Sequence, residues 1–239
     1  MKKEIDFFLD ELDGVRKKCM GPHSWYEGSL AGRPLRVVRT GIGRTVGEAI
    51  LRSGCSLFVS TGFCGALSPL LARGDFVVST AVLARRKADE IRLHVTGSGI
   101  EAPNDADAGI VKRAIPLTQG ARHSIESAAR ELGAVLHFGA TFTADRVIRT
   151  AEEKTALHAE SGAISVDMED CYRLEIAVSL GIPFLSVRVV LDGPRESIPS
   201  LRSAFRIPSD AAALLKGANR CARSLARFLV RFVEKFEMV

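Results

Sequence analysis

Val166-Asp167-Met168-Glu169-Asp170 is best read together with Val187-Arg188-Val189-Val190-Leu191-Asp192-Gly193. The first stretch follows the short apolar run Ala163-Ile164-Ser165 and leads into a helical pattern from Cys171 to Leu180. The second closes an apolar strand, Pro183 to Leu191. Two acidic residues, Glu169 and Asp192, therefore sit where strands give way to helix or loop. In open α/β sheets ligands bind at such strand ends.

Working outward, the chain has 239 residues, 46% of them apolar and 26% charged. That is ordinary for a globular protein, and the length suits one large α/β domain over residues 1–239 with a core that needs no staples. No apolar run reaches membrane-spanning length. The start, Met1-Lys2-Lys3-Glu4-Ile5-Asp6-Phe7-Phe8, is too acidic for a secretory signal. The five cysteines, 19, 55, 64, 171 and 221, form no C-x-x-C pair and read as reduced cytoplasmic thiols, with no metal site. The net charge of +5 is mild, and its Arg residues are not interleaved with aromatics, so nucleic acid is not the expected partner.

Taken in order, residues 4 to 18 carry Ile5, Phe8, Leu9, Leu12 and Val15 at helical spacing. A hairpin follows, Trp25 to Leu30 and Leu35 to Arg39, turning at Ala31-Gly32-Arg33-Pro34. Gly41-Ile42-Gly43-Arg44 then opens a helix from Val46 to Ser53. Leu57 to Ser60 is a buried strand that ends in a glycine turn, Thr61 to Leu67. Phe76 to Val82 is the next strand. Residues 84 to 119 read as a long excursion. A helix over 122–132, a strand over Val135–Phe142, and a helix over 151–159 precede the two acidic stretches. Ser209 is placed to cap a last helix reaching Phe236. Strands alternating with helices after one hairpin predict a three-layer α/β/α fold on a mixed twisted sheet.

Each local feature has two readings. Gly43 and Arg44 form either an anion cradle at a helix N-terminus or a plain turn. Gly62 and Gly65 either admit a ligand to the backbone or serve a tight bend. Glu169, Asp167 and Asp170 fit the acidic first turn of a helix, and Asp192-Gly193 fits a turn. Cys64 has no base near it in sequence, which argues against a nucleophile.

Together these pieces resemble the nucleoside phosphorylase/nucleosidase superfamily, from about Leu35 to Val233. The likeness lies in Thr40-Gly41-Ile42-Gly43, in Thr61-Gly62-x-x-Gly65-x-Leu67 with Gly74-Asp75-x-Val77-Val78, in Val166-Asp167-Met168-Glu169, and in Pro183-Phe184-x-x-Val187-Arg188-x-x-x-Asp192. It implies a nucleoside phosphorylase-like fold, a small-molecule purine nucleoside as partner, no cofactor, and a homo-oligomer. By the same likeness Glu169 accepts hydrogen bonds from the ribose hydroxyls, Met168 packs on the sugar, and Asp192 is the general acid at purine N7. Phosphorylases of the hexameric type carry an Arg and a Ser in the glycine turn. Here those positions are Ser60 and Phe63, so water is the expected nucleophile, with Gly43 and Arg44 as the remaining phosphate-binding candidates. Nucleosidases activate water with a Glu after their first strand. Glu4 takes that place, although the family's opening Gly/Ile-rich strand does not precede it in this sequence.

Asp145-Arg146-Val147-Ile148, Glu153-Lys154 and Val166 to Glu169 look closest to the hopanoid-associated branch, which implies adenine release from a 5′-substituted adenosine such as adenosylhopane. Asp167, Gly62, Phe63, Val147 and Ile148 join Glu169 and Met168 as substrate-binding candidates, while Phe142 and Phe205 read as core. Arg220, Arg223, Arg227, Arg231 and Lys235 lie along one side of the last helix. They form either a solvated face or a peripheral contact with the membrane that holds a lipid substrate.

Overall fold

The computed structural model describes residues 3–20, 23–40, 54–85, 109–198 and 208–236. Helix α1 (Lys3–Leu9) opens the chain and stops there, well short of residue 18. Gly14 adopts φ +63°, a left-handed value that interrupts right-handed helix. Residues beyond it form β1 (Asp13–Met20), antiparallel to β2 (His23–Leu30), which pairs in turn with β3 (Arg33–Val38). The expected hairpin is thus β2–β3, and β1 adds a third strand that the helical spacing concealed. Cross-strand pairing has overridden a local pattern.

The main sheet contains β4 (Phe58–Ala66), β5 (Phe76–Arg85), β6 (Ile110–Ala114), β7 (Leu136–Thr143), β8 (Ser165–Asp167) and β9 (Phe184–Asp192). Its order is β6-β5-β7-β8-β4-β9, and β5 also pairs with β9. One edge of β5 carries β7. The other carries β9 at Phe76–Val78 and β6 at Ala81–Arg85. The sheet is mixed, as expected, but it closes on itself through β5-β7-β8-β4-β9. Two local expectations fail here. Thr61–Gly65 is not a turn: β4 runs through it to Ala66. Part of the supposed excursion after residue 84 is strand, since β5 reaches Arg85 and β6 pairs with it.

Among the described residues four further helices cover the sheet: α2 (Gln119–Leu132), α3 (Ala151–Ser161), α4 (Asp170–Ser179) and α5 (Pro208–Lys235). Pro208 lies in the first turn of α5, where its missing N–H costs nothing. Ser209 therefore falls inside the helix and does not cap it. Leu225, Phe228, Leu229 and Phe232 of α5 pack on Phe76, Val78, Leu185, Val187 and Val189 and on Ile125 of α2. Phe76 and Phe228 stack at 4.6 Å. Each such side chain contributes roughly 1.5–3 kcal/mol on burial. Elsewhere Leu174 and Ala177 of α4 pack on Val82 and Phe184, and Leu157 of α3 packs with Phe142 and Val166. No helix among the described residues is long and apolar enough to cross a membrane.

The sheet face turned away from α5 is polar at one level. Ser60 on β4, Ser79 on β5, Thr141 on β7, Ser165 on β8 and Ser186 on β9 are all buried. Ser165 meets Thr141 at 2.9 Å and Thr141 meets Ser79 at 2.7 Å. Ser79 donates to Ser186 at 3.1 Å, and Ser186 and Ser60 both donate to Asp170, at 2.5 and 2.6 Å. A hydroxyl has one proton, so the carboxylate at the end sets the sense of the whole chain.

Candidate active site

Arg188, four residues before Asp192 on β9, is 1% exposed. A buried guanidinium must be paired, and this one gathers the acidic stretch that follows β8. Its Nη2 and Nε hold Asp170 bidentately, at 2.6 and 3.0 Å. Nη2 also lies 2.6 Å from Asp167 Oδ2. Nη1 donates to Glu169 Oε2 at 3.2 Å and to the Phe63 carbonyl at 3.1 Å. Gly62 makes room for this: with φ +155°, a Cβ there would lie 3.3 Å from Arg188 Nη1.

Asp167 is fully engaged. Thr143 donates to its Oδ1 at 2.7 Å, and the amide of Asp170, the first residue of α4, donates to Oδ2 at 2.9 Å. Expected among the substrate contacts, it instead faces Arg188. Burial pushes its carboxyl up to about 7; Arg188 opposes this and the neighbouring Asp170 and Glu169 add to it. Burial also works against an ionised Asp170, but Arg188, Arg173 and Ser186 outweigh it and hold that group at about 2. Glu169 is different. Its side chain is 13% exposed and tied only through Oε2, so among the described residues Oε1 has no protein partner. Met168 beside it is half-buried.

Asp192 ends β9 beyond a bulge. Cys64 and Gly65 on β4 face Val190 and Asp192, so two steps on β9 match one on β4. Without that extra residue Gly65 would face Leu191. A bulge re-aims a side chain, and here it delivers a carboxylate to a register position that would otherwise be apolar. Gly65 gives it space: a Cβ would stand 3.1 Å from Asp192 Oδ2 and 3.2 Å from Val166 Cγ1. Both glycines thus admit side chains of β9, Arg188 and Asp192, to the backbone of β4. Lys154 of α3, 0% exposed, donates to Asp192 Oδ2 at 2.5 Å and to the Gly193 and Glu196 carbonyls at 2.8 and 2.7 Å. Burial raises the Asp192 carboxyl and Lys154 counters it, with a net rise.

Gly65 pairs with Val166 on one side and Asp192 on the other. At about 4.8 Å between neighbouring strands, β8 and β9 stand about 10 Å apart across β4. A half-buried carboxylate just past the end of β8 and a buried acid at the end of β9 thus lie on either side of β4. A model of the phosphorylase superfamily matches residues 1–234. The chain belongs to that superfamily. Its fold is also that of solved nucleosidases. The 5′-methylthioadenosine/S-adenosylhomocysteine nucleosidase of Neisseria meningitidis, in complex with methylthio-immucillin-A, superposes with a TM-score of 0.74 at 21% identity, over 98% of this chain and 95% of that one. The S. pneumoniae nucleosidase with a transition-state inhibitor gives 0.75 at 18%, over 99% and 96%. A Helicobacter pylori mutant with 5′-methylthioadenosine in the active site gives 0.74 at 19%, over 98% and 95%. At such identities the likeness is one of fold.

The other candidate residues of this superfamily member fall as follows. Phe63 packs against the core beneath α5, and Phe142 is core. Val147 is 37% exposed, and Ile148 rests on the cluster around Leu157. Gly41, Gly43, Arg44 and Phe205 lie outside the described residues, as does the side chain of Glu4. On the helix that carries Glu4, Asp6 pairs with Arg39 at 3.2 Å. Arg173 of α4 donates to Thr40 Oγ1 at 2.6 Å and to Ser60 Oγ at 2.9 Å. Burial pushes the Cys64 thiol well up, which agrees with its reading as inert. Sequence reasoning gave no role to Arg173 and quoted Lys154 only within the likeness to the hopanoid-associated branch. Arg188 left a signal: a charge in the middle of an otherwise apolar buried strand must have a partner.

Proposed function

We propose that the chain is a purine N-ribosyl hydrolase that releases adenine from a 5′-substituted adenosine. One observation carries the reading: Asp192, buried and with no partner for Oδ1 among the described residues, stands across β4 from Glu169, whose Oε1 has none among them either. Breaking an N-glycosidic bond builds positive charge on the ribose and negative charge on the purine. Glu169 accepts from the ribose hydroxyls and sits close to the developing cation. Asp192 gives its proton to N7 as the base leaves. Arg188 anchors Glu169, and Met168 packs on the sugar. The inhibitors and substrate named for the solved nucleosidases support the same class of ligand.

Water is favoured over phosphate as the nucleophile. The Ser60 hydroxyl is donated to Asp170 and the Phe63 ring packs against the core, so neither of the two positions that carry Arg and Ser in the hexameric phosphorylases supplies a free anion-binding group. Arg173 brings a guanidinium to Ser60 and Thr40, where two of its five N–H groups are used, and its Nε has no partner among the described residues. We take the base for water to be Glu4, the 5′-substituent to be a large apolar group such as a hopane, with exposed Val147 beside it, and the protein to be a cytoplasmic homo-oligomer. Membrane contact along α5 falls to Arg220 and Arg227, since Arg223 lies over the Phe7 ring at 5.0 Å. Arg231 pairs with Glu131 and Glu234, and Lys235 pairs with Glu131.

Assays of adenine release from 5′-methylthioadenosine, S-adenosylhomocysteine and an adenosyl lipid, with and without phosphate, test this reading. Release in phosphate-free buffer is expected. Strict dependence on phosphate, with ribose 1-phosphate as product, would replace hydrolysis by phosphorolysis. No release from any of the three would reduce the chain to a binding protein.

A further inference from the structure

We propose that Lys154 is the positioning partner of the acid: its buried ammonium fixes Asp192 Oδ2, turns Oδ1 to the leaving base, and stabilises the carboxylate that forms as the proton departs. This rests on the reading of Asp192 as general acid. Three features lead to it. Lys154 is wholly buried, and all three of its ammonium protons are used, on Asp192 Oδ2, the Gly193 carbonyl and the Glu196 carbonyl. Three donors on three acceptors is the pattern of the charged form. Two of those acceptors belong to the turn that follows Asp192, so the same ammonium holds both the acid and the backbone that carries it. Finally, no other donor reaches Asp192 among the described residues, which leaves Oδ1 for the substrate.

The chemistry gives the ammonium a role that grows during the reaction. The C1′–N9 bond breaks and its electron pair goes to the purine. The Oδ1–H bond breaks and N7 takes the proton. Water adds its oxygen to C1′ and gives up a proton to a base. Asp192, neutral at the start, ends as a carboxylate. An ammonium on Oδ2 stabilises that product more than the neutral acid, so its effect is larger in the transition state than in the ground state. The other charged or titratable groups facing Asp192 are Glu196 and Arg73, which pair with each other at 2.5 Å, and the Cys64 thiol on β4. Further along β9, Arg188 is committed to its own carboxylates. Among the described residues, Lys154 is therefore the cation in direct contact with the acid.

Lys154→Met removes the charge and keeps the length. Lys154→Gln also keeps N–H donors for the loop carbonyls and serves if the first variant does not fold. Without the ammonium, a buried carboxyl holds its proton to higher pH and gives it up less readily. In both variants the alkaline limb of kcat/KM, followed on whichever of the three nucleosides releases adenine, is expected to move up by about one pH unit or more. We expect kcat to fall at least ~10-fold with little change in KM. A separate readout needs no turnover: the ¹³C carboxyl titration of Asp192, assigned with Asp192→Asn, is expected to move in the same direction. If wild type releases no adenine, the functional reading fails, while this titration still decides the Lys154–Asp192 linkage. A folded variant whose limb and Asp192 titration both stay in place, or move down, overturns the proposal.

Discussion

Asp192→Asn keeps the shape of the acid and removes its proton. Steady-state assays of adenine release are expected to show kcat lower by ~10²–10⁴-fold with KM nearly unchanged. Wild-type rates in this variant would leave the chain without its general acid. Glu169→Gln leaves a partner for Arg188 but halves the acceptor capacity toward the ribose, so KM rises as kcat falls. Asp167 makes a different prediction, for stability. Its carboxyl titrates at about 7 in the folded protein, above its ordinary 3.8. Between those values the folded state holds more protons than the unfolded, so unfolding free energy falls as pH rises through the window. Urea unfolding at pH 5.5 and 7.5 is expected to show this loss in wild type and a smaller one in Asp167→Asn. A group held low, Asp170 at about 2, acts in the opposite sense, and its contribution disappears only in strong acid.

The element that decides the site is β4. Gly65→Ala would put a Cβ 3.1 Å from Asp192 Oδ2 and 3.2 Å from Val166 Cγ1. Neither neighbour is the loose end of a long side chain, so the acid must shift. At these distances the shift is a few tenths of an ångström, short of the displacement near 1 Å that is worth about 10²-fold in rate. Activity is expected to fall by less than that while the thermal melt stays close to wild type. This strand also shows where the sequence stops being informative. The positions of Glu169 and Asp192 at strand ends were legible from apolar runs that stop at acidic residues. Gly62 and Gly65 were legible as special, but they read as a turn because glycine is commonest there. What they accommodate comes from β9, far away in the chain, and no local pattern records it. The bulge at Leu191 is equally silent, being a mismatch between two strands. At the N-terminus the spacing of Ile5, Phe8, Leu9 and Leu12 was real, but it belonged to a short helix and its exit. It said nothing of the pairing that makes 13–20 a strand.

At the scale of the molecule, the five buried hydroxyls hold the sheet in one register. A slip of one residue in any strand would turn its hydroxyl to the apolar face and leave its neighbours unpaired. Ser79→Ala breaks the chain between Thr141 and Ser186 and is expected to cost ~1–3 kcal/mol in urea unfolding. Ser186→Ala added to it is expected to cost less than it does alone, because the two share one network. Their position could be read as five small polar residues in apolar strands. That they meet follows only from the closure of the sheet.

That closure also orders events in time. Phe76–Val78 must find Val187–Val189, and most of the sheet lies between them in the chain. The entropy of so long a loop is met before its contacts return anything. Helices α2 and α5 form quickly by comparison. Arg188 cannot collect Asp167, Glu169 and Asp170 until β8, α4 and β9 have come together. In refolding from urea, helical circular dichroism is therefore expected to recover first. Release of adenine should return only with the slowest phase, as the last strand pair joins the ring.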